Sequence, residues 1–178
     1  MSEMCALLVA ASVVFGQAEA KKPVLPEKIA QQLQFFVGEW NVEGEVAGAA
    51  LKGRWSTRWS PKKHCLVINY PLSIDDQQIQ GNGVFGWDTE TEELMTFMFY
   101  SNGVLEICRY KLVSPGVLKG TFTGSAQGKP YKAECELRTN GADEWTFTTK
   151  RNIVGGKEEK ELLVRFARSE GKAKKKGK

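Results

Sequence analysis

Phe36-Val37-Gly38-Glu39-Trp40 marks the point at which the texture of this chain changes. Its Gly-x-Trp opens the first of a long series of short, alternating segments. Apolar and polar residues then exchange places with a period of two, and clusters of turn-forming residues interrupt them, which is the pattern of half-buried antiparallel strands. The alternation predicts strands near residues 39–46, 51–60, 64–72, 77–87, 92–100, 103–112, 116–124, 130–138, 143–150 and 158–168. The breaks between them have turn chemistry, among them Ser60-Pro61-Lys62-Lys63, Ser101-Asn102-Gly103, Ser114-Pro115-Gly116 and Gly155-Gly156. No crossover helix separates the segments, so parallel α/β folds are excluded. A sheet of this many antiparallel strands has two edges to protect, and rolling it into an up-and-down barrel pairs both. The expected fold class is an all-β antiparallel barrel preceded by a short helix, with a β-sandwich as the alternative.

Alternation also sorts the two faces of each strand. In Leu51–Trp59, one face carries Leu51, Gly53, Trp55, Thr57 and Trp59, the other Lys52, Arg54, Ser56 and Arg58. The apolar set is expected to point inward. Trp40 and Val42, Phe85 and Trp87, and Trp145 and Phe147 continue that inner surface. A barrel of this size either fills its centre with side chains or holds one small ligand there. Trp55, Trp59, Phe85, Trp87, Trp145 and Phe147 are therefore the candidate cavity lining. Val104-Leu105-Glu106-Ile107-Cys108-Arg109-Tyr110 adds polar candidates. Glu106, Cys108 and Tyr110 share one face while Leu105, Ile107 and Arg109 share the other, so either Glu106 or Arg109 can face the interior.

Outward from the strands, Ile29, Leu33 and Phe36 recur at helical spacing, predicting a short amphipathic helix ahead of the first strand. Cys5 to Gly16 is an apolar run too short for a membrane span, and Ala18-Glu19-Ala20 follows it as a small-x-small cleavage site. Residues 1–20 read as a signal peptide cut after Ala20, which places the mature protein in the periplasm or outside the cell. Residues 21–37 are then linker and helix, 38–168 the barrel, and 169–178 a disordered Lys-rich tail. The net charge of +4 belongs to that tail: five lysines lie in Gly171–Lys178, and Lys21–Glu170 carries 20 basic and 19 acidic side chains. Without interleaved aromatics or a nucleic-acid-binding motif, the tail reads as a solubilising end and no nucleic-acid partner is expected. Cys65, Cys108 and Cys135 are an odd number without a Cys-x-x-Cys pair, and His64 is the single histidine, so a metal site has poor material.

Gly38-Glu39-Trp40 after a short helix and ahead of an all-β meander resembles the lipocalin-like, or calycin, superfamily. It is most similar to the small exported bacterial lipocalin-like barrels whose function is unassigned. The resemblance covers roughly residues 33–168 and implies that Trp40 packs across the closed end of the barrel. It also implies that a basic residue of the last strand lies over the indole. Arg165 is the first candidate and Arg168 the second, so Gly38, Trp40 and Arg165 form the expected barrel-end group. The Thr-Asp-Tyr segment of lipocalins has no match, and carriage of retinoid-like ligands is not carried over. A second branch, the nitrobindin-like barrels, binds haem through a histidine late in the chain. His64 comes early and beside a turn, which disfavours haem as a cofactor, and no other cofactor is expected.

Catalysis has thin material. Cys65 and His64 are sequence neighbours on opposite faces of a strand and cannot readily form a dyad. Asp75-Asp76, Glu92-Glu93 and Glu158-Glu159 fall beside turns, where solvated charges are common. The expected function is non-enzymatic binding of a small apolar or amphipathic molecule by a monomer or weak dimer. A filled barrel acting as an interaction module of the cell envelope is the second reading, and an isomerase or hydrolase built on Glu106, Arg109 or Tyr110 the third.

Overall fold

A computed structural model describes residues 25–126 and 128–169. The signal peptide and the lysine tail expected above lie outside the described residues. One helix, α1 (Glu27–Phe36), precedes strands β1 (Gly38–Val46), β2 (Ala49–Trp59), β3 (Cys65–Ile74), β4 (Gln77–Asp88), β5 (Glu93–Tyr100) and β6 (Leu105–Ser114). They are followed by β7 (Val117–Ala126), β8 (Lys129–Thr139), β9 (Glu144–Val154), β10 (Lys157–Glu159) and β11 (Leu163–Arg168). Each strand from β1 to β9 pairs antiparallel with the next. β11 then joins β9 to β1 and closes the ring. β10 and β11 lie along the same edge of β9, β10 against Asn152–Val154 and β11 against 144–148, so the wall is ten strands around. This is the closed all-β antiparallel barrel with a leading helix that the alternation predicts.

The last predicted strand, 158–168, is thus two pieces. β9 carries a bulge where Arg151 takes a positive φ of 50°, and the register against β8 slips between Lys132 and Glu134. The chain opposite spans the irregularity without pairing. Asn152 donates its side-chain amide to the carbonyl of Lys160, and the amide of Leu162 donates to the hydroxyl of Thr149. A bulge of this kind bends one wall and is invisible to a simple period-two reading. The turn after it is a two-residue hairpin: Gly155 and Gly156 both have positive φ, 55° and 83°, the backbone that a type I′ turn demands.

The helix decides which end of the barrel is closed. Ile29, Leu33 and Phe36 are all but fully buried, and Phe36 packs tilted against Phe85 at 5.4 Å and edge-to-face against Trp145 at 5.3 Å. Trp40 is completely buried and donates its indole N–H to the carbonyl of Phe36 at 3.0 Å. Thr57 donates its hydroxyl to the same carbonyl, and Trp59 donates its indole N–H to Gln34 at 2.8 Å. These contacts satisfy polar groups at the C-terminal end of the helix that would otherwise be buried unpaired. The hairpins β1–β2, β3–β4, β5–β6, β7–β8 and β9–β10 gather at the opposite end, the mouth.

The cation above Trp40 is Arg168, where Arg165 was the first expectation. Cross-strand register explains it: Arg168 pairs with Trp40, whereas Arg165 pairs with Glu43 and points outward. The Arg168 guanidinium sits 4.1 Å from the centre of the Trp40 indole. It also donates to the carbonyls of Phe35, Val37 and Ala142 and to the carboxylate of Asp143 at 2.9 Å. One planar fork therefore ties the end of α1 to the β8–β9 loop across the face of the tryptophan.

Candidate functional site

Strand register places Glu106 inside. It pairs with Met98 on β5 and Gly124 on β7, and it shares its face with Cys108 and Tyr110, which are buried in the core. Arg109 consequently points outward, where it pairs with Asp88 at 3.2 Å and Glu93 at 3.8 Å. Its expected place in the cavity lining is corrected by those two carboxylates, which satisfy it on the outer wall. The Asp88 carboxyl is held below its ordinary value first by the Glu90 backbone N–H and then by the Thr91 hydroxyl, with Arg109 assisting.

Two tyrosines converge on Glu106, and glycines opposite them make the convergence possible. Tyr100 pairs across the sheet with Gly81, and a Cβ on Gly81 would come within 2.9 Å of the Tyr100 ring. Tyr131 pairs with Gly124, where a Cβ would meet its ring and hydroxyl at 2.4 Å. Lying flat over these bare backbones, the rings bring their hydroxyls inward. Tyr100 donates to Glu106 Oε2 at 2.7 Å, and Tyr131 donates to the carbonyl of Leu105 at 3.3 Å while also reaching the Glu106 carboxyl. Neither tyrosine was identified from the sequence. Pairing the predicted strands about their turns, with a glycine opposite each tyrosine, was the signal that could have found them.

Tyr100, Glu106, Phe122, Tyr131 and Phe147 point into the barrel yet each keeps some solvent-accessible surface, whereas Met98, Cys108, Ala133 and Cys135 among them are buried. Phe122 packs its ring 5.1 Å from Tyr131 and 5.6 Å from Phe147. Across from them, Trp55 and Tyr70 form a buried edge-to-face pair at 5.2 Å. The indole N–H of Trp55 has no hydrogen-bond acceptor among the described residues. A buried donor in that condition costs the fold about 1–3 kcal/mol.

The other candidates are distributed between the two ends. Trp55 is a buried core residue packed edge-on to Tyr70, Trp145 and Phe166, and Phe147 packs against the same core while keeping some exposed surface. Phe85, Trp145 and Tyr110 are instead packed into the closed-end core, and Trp59 and Trp87 lie at its rim. They belong to the plug because α1 covers them: Trp145 stacks on Phe166 with centroids 3.4 Å apart, directly beneath Phe36. His64 is exposed in the β2–β3 turn, also at the closed end, and its backbone N–H bonds to the Ser60 hydroxyl. Glu106, Arg109 and Tyr110 are not brought together. Cys108 and Cys135 face inward on β6 and β8, and the Cys135 thiol donates to Cys108; that bond, with burial, pushes its pKa up, which makes it a poor nucleophile.

Electrostatically, burial raises the pKa of Glu106 above its ordinary value, and the hydrogen bonds from Tyr100 and Tyr131 offset this only in part. The folded protein therefore binds this proton more tightly than the unfolded chain, whose glutamates titrate at about 4.3. The stability linked to it is fully present below that value and is lost as pH rises through the folded pKa. Urea unfolding across a pH series should show the difference between wild type and Glu106→Gln moving steadily against the wild type over that window and then levelling. A difference that is flat, or that moves toward the wild type, would mean that the carboxyl is not desolvated.

No protein-family model matches this sequence, and no curated protein matches it. Among solved structures, it is similar to a redesigned β-barrel, mFAP0, bound to DFHBI, at 17% identity over 76% of this chain and 100% of that chain, with a TM-score of 0.44. A second redesigned barrel, mFAP1, bound to DFHBI, is 16% identical over 78% of this chain and 97% of that one, with a TM-score of 0.39.

Proposed function

We propose that this chain is an exported, non-enzymatic lipocalin-like barrel that takes up a small apolar or amphipathic molecule through its mouth. The observation that supports this most directly is the partly exposed set of inward side chains Tyr100, Glu106, Phe122, Tyr131 and Phe147. Aromatic surface turned inward yet open to solvent gains free energy when an apolar molecule covers it, at roughly 25 cal/mol per Å². A few convergent polar groups in such a lining fix orientation, and here they are the carboxyl of Glu106 and the hydroxyls bound around it. Export rests on the reading of residues 1–20 as a signal peptide.

Titration with the neutral fluorophore N-phenyl-1-naphthylamine is expected to give saturable one-to-one binding with a blue-shifted emission. Native mass spectrometry of protein from its own host is expected to show a non-covalently bound small molecule. A preparation that binds nothing in either experiment would overturn the reading.

The outer wall favours a second role, that of an interaction module of the cell envelope. Val67, Val84, Phe97 and Ile107 are direct cross-strand partners on β3 to β6 and form an apolar row facing outward. Phe99 stands beside it, 56% exposed and edge-on to Phe97 at 4.8 Å. Photo-crosslinking from position 99 in cells, with capture of a discrete partner, would support that role; capture of none would remove it.

A further inference from the structure

Among the described residues no arginine or lysine forms an ion pair with Glu106; Lys129 shares the inward face of β8 with Tyr131 but lies nearer the mouth. Glu106 Oε2 accepts from Tyr100, and Oε1 accepts no hydrogen bond from any described residue apart from the approach of Tyr131. The charged and titratable groups around it are Tyr100 from β5, Cys108 on its own strand, Tyr131 from β8 and Tyr70 from β3. Burial raises the pKa of all three tyrosines, so they remain neutral near pH 7. The ion pairs of the described residues lie elsewhere, on the outer wall or at the closed end: Arg54 with Glu39, Arg109 with Asp88 and Glu93, Lys119 and Arg138 with Glu136, Arg151 with Glu134, and Arg168 with Asp143.

We infer that the molecule held in this barrel is a lipophilic cation, an amine or quaternary ammonium with an apolar body, whose positive head is countered by Glu106. This rests on the ligand-binding reading above and adds the charge of the ligand to it. A carboxylate enclosed by apolar walls is costly to ionise alone, and a cation within reach repays that cost. Tyr100, Tyr131, Phe122 and Phe147 offer ring faces on the same side of the lumen, and such faces attract ammonium groups. An anionic amphiphile such as a fatty acid would bring a second negative charge to Glu106, which no described arginine or lysine pairs with, so a head at this carboxyl is selected against when it is anionic. Tyr100 holds the carboxyl in place through Oε2.

The test compares heads on one apolar body. Dodecyltrimethylammonium, dodecanol and dodecanoate are each made to displace N-phenyl-1-naphthylamine from the full-length protein. The ammonium is expected to displace at a concentration about tenfold lower than the alcohol, the size of a desolvated cation–π and charge contact, and dodecanoate is expected to be weakest. Glu106→Gln should bring ammonium and alcohol within about twofold of each other, each displacement being scored against the variant's own fluorophore affinity, and circular dichroism reports that the variant is folded. Tyr100→Phe, which keeps the carboxylate, should retain the preference, and it supplies the comparison if Glu106→Gln does not fold. Equal displacement by ammonium and alcohol in the wild type, a preference untouched in Glu106→Gln, or its disappearance in Tyr100→Phe would each overturn the charge assignment while leaving a ligand-binding barrel. Failure of the fluorophore to bind the wild type would overturn both.

Discussion

Replacing Trp40 with alanine is expected to lower the unfolding free energy by about 3–5 kcal/mol, the range for truncating a fully buried tryptophan. The side chain has no exposed surface, so its whole volume becomes a cavity. Its neighbours cannot easily collapse into that space. Phe35 and Trp145 are held 5.4 and 6.2 Å away by their own contacts, and Phe36 is held by the helix. The carbonyl of Phe36 loses its indole donor, and the Arg168 guanidinium loses the ring beneath it. Equilibrium urea unfolding, with an unchanged m-value, measures the effect. A loss below about 0.5 kcal/mol would mean that the closed end is held by the helix alone, and that the Gly-x-Trp opening is incidental to stability.

The second large effect is expected at Gly120. It faces inward on β7, and a Cβ there would stand 1.6 Å from the carbonyl oxygen of Arg109 and 2.9 Å from the Cα of Tyr110. Both atoms are backbone, so no rotamer change relieves the clash, and β6 and β7 must separate. Overpacking of this kind costs about 3 kcal/mol, at the top of its common range. Gly120→Ala should also disturb the contact between Cys108 and Cys135, because Gly120 pairs with Tyr110 on one side and Cys135 on the other. Urea unfolding gives the stability change, and the reaction of the two thiols with a disulfide reagent gives the local opening. A variant as stable as the wild type, with its thiols equally protected, would show that β6 and β7 are not pressed together as described.

Both residues lie on the scaffold side of a division that runs across the barrel. α1, Trp40, Arg168, Phe85 and Trp145 form one dense end. Glu106, the two tyrosines, Phe122 and Phe147 lie beyond it toward the mouth and keep some exposed surface. A rigid closed end lets the open half keep accessible apolar surface without the wall collapsing onto it, since close packing at the plug supplies stability that the lumen does not.

The residues themselves determined the barrel. Alternation with a period of two fixes which side chains can share a face, turn chemistry fixes where strands reverse, and ten antiparallel segments without a crossover leave closure as the way to protect both edges. The inward set of β2, the helix over 27–36 and the role of Trp40 follow from local pattern and from a resemblance carried by three residues. What alternation cannot supply is the sign of a face that mixes charged and apolar residues, and β6 is that case. Glu106 and Arg109 had equal claims to the interior, and the choice fell to groups far away in sequence. Asp88 and Glu93 hold Arg109 outside, while Tyr100 and Tyr131, seated on Gly81 and Gly124, receive Glu106 within. Register decided Arg168 over Arg165 in the same way, because cross-strand pairing is a property of the assembled sheet. The split of the aromatic residues into plug and lumen was likewise tertiary. Every one of them alternates correctly, and only the position of α1 over one end determines which of them are sealed in and which keep exposed surface.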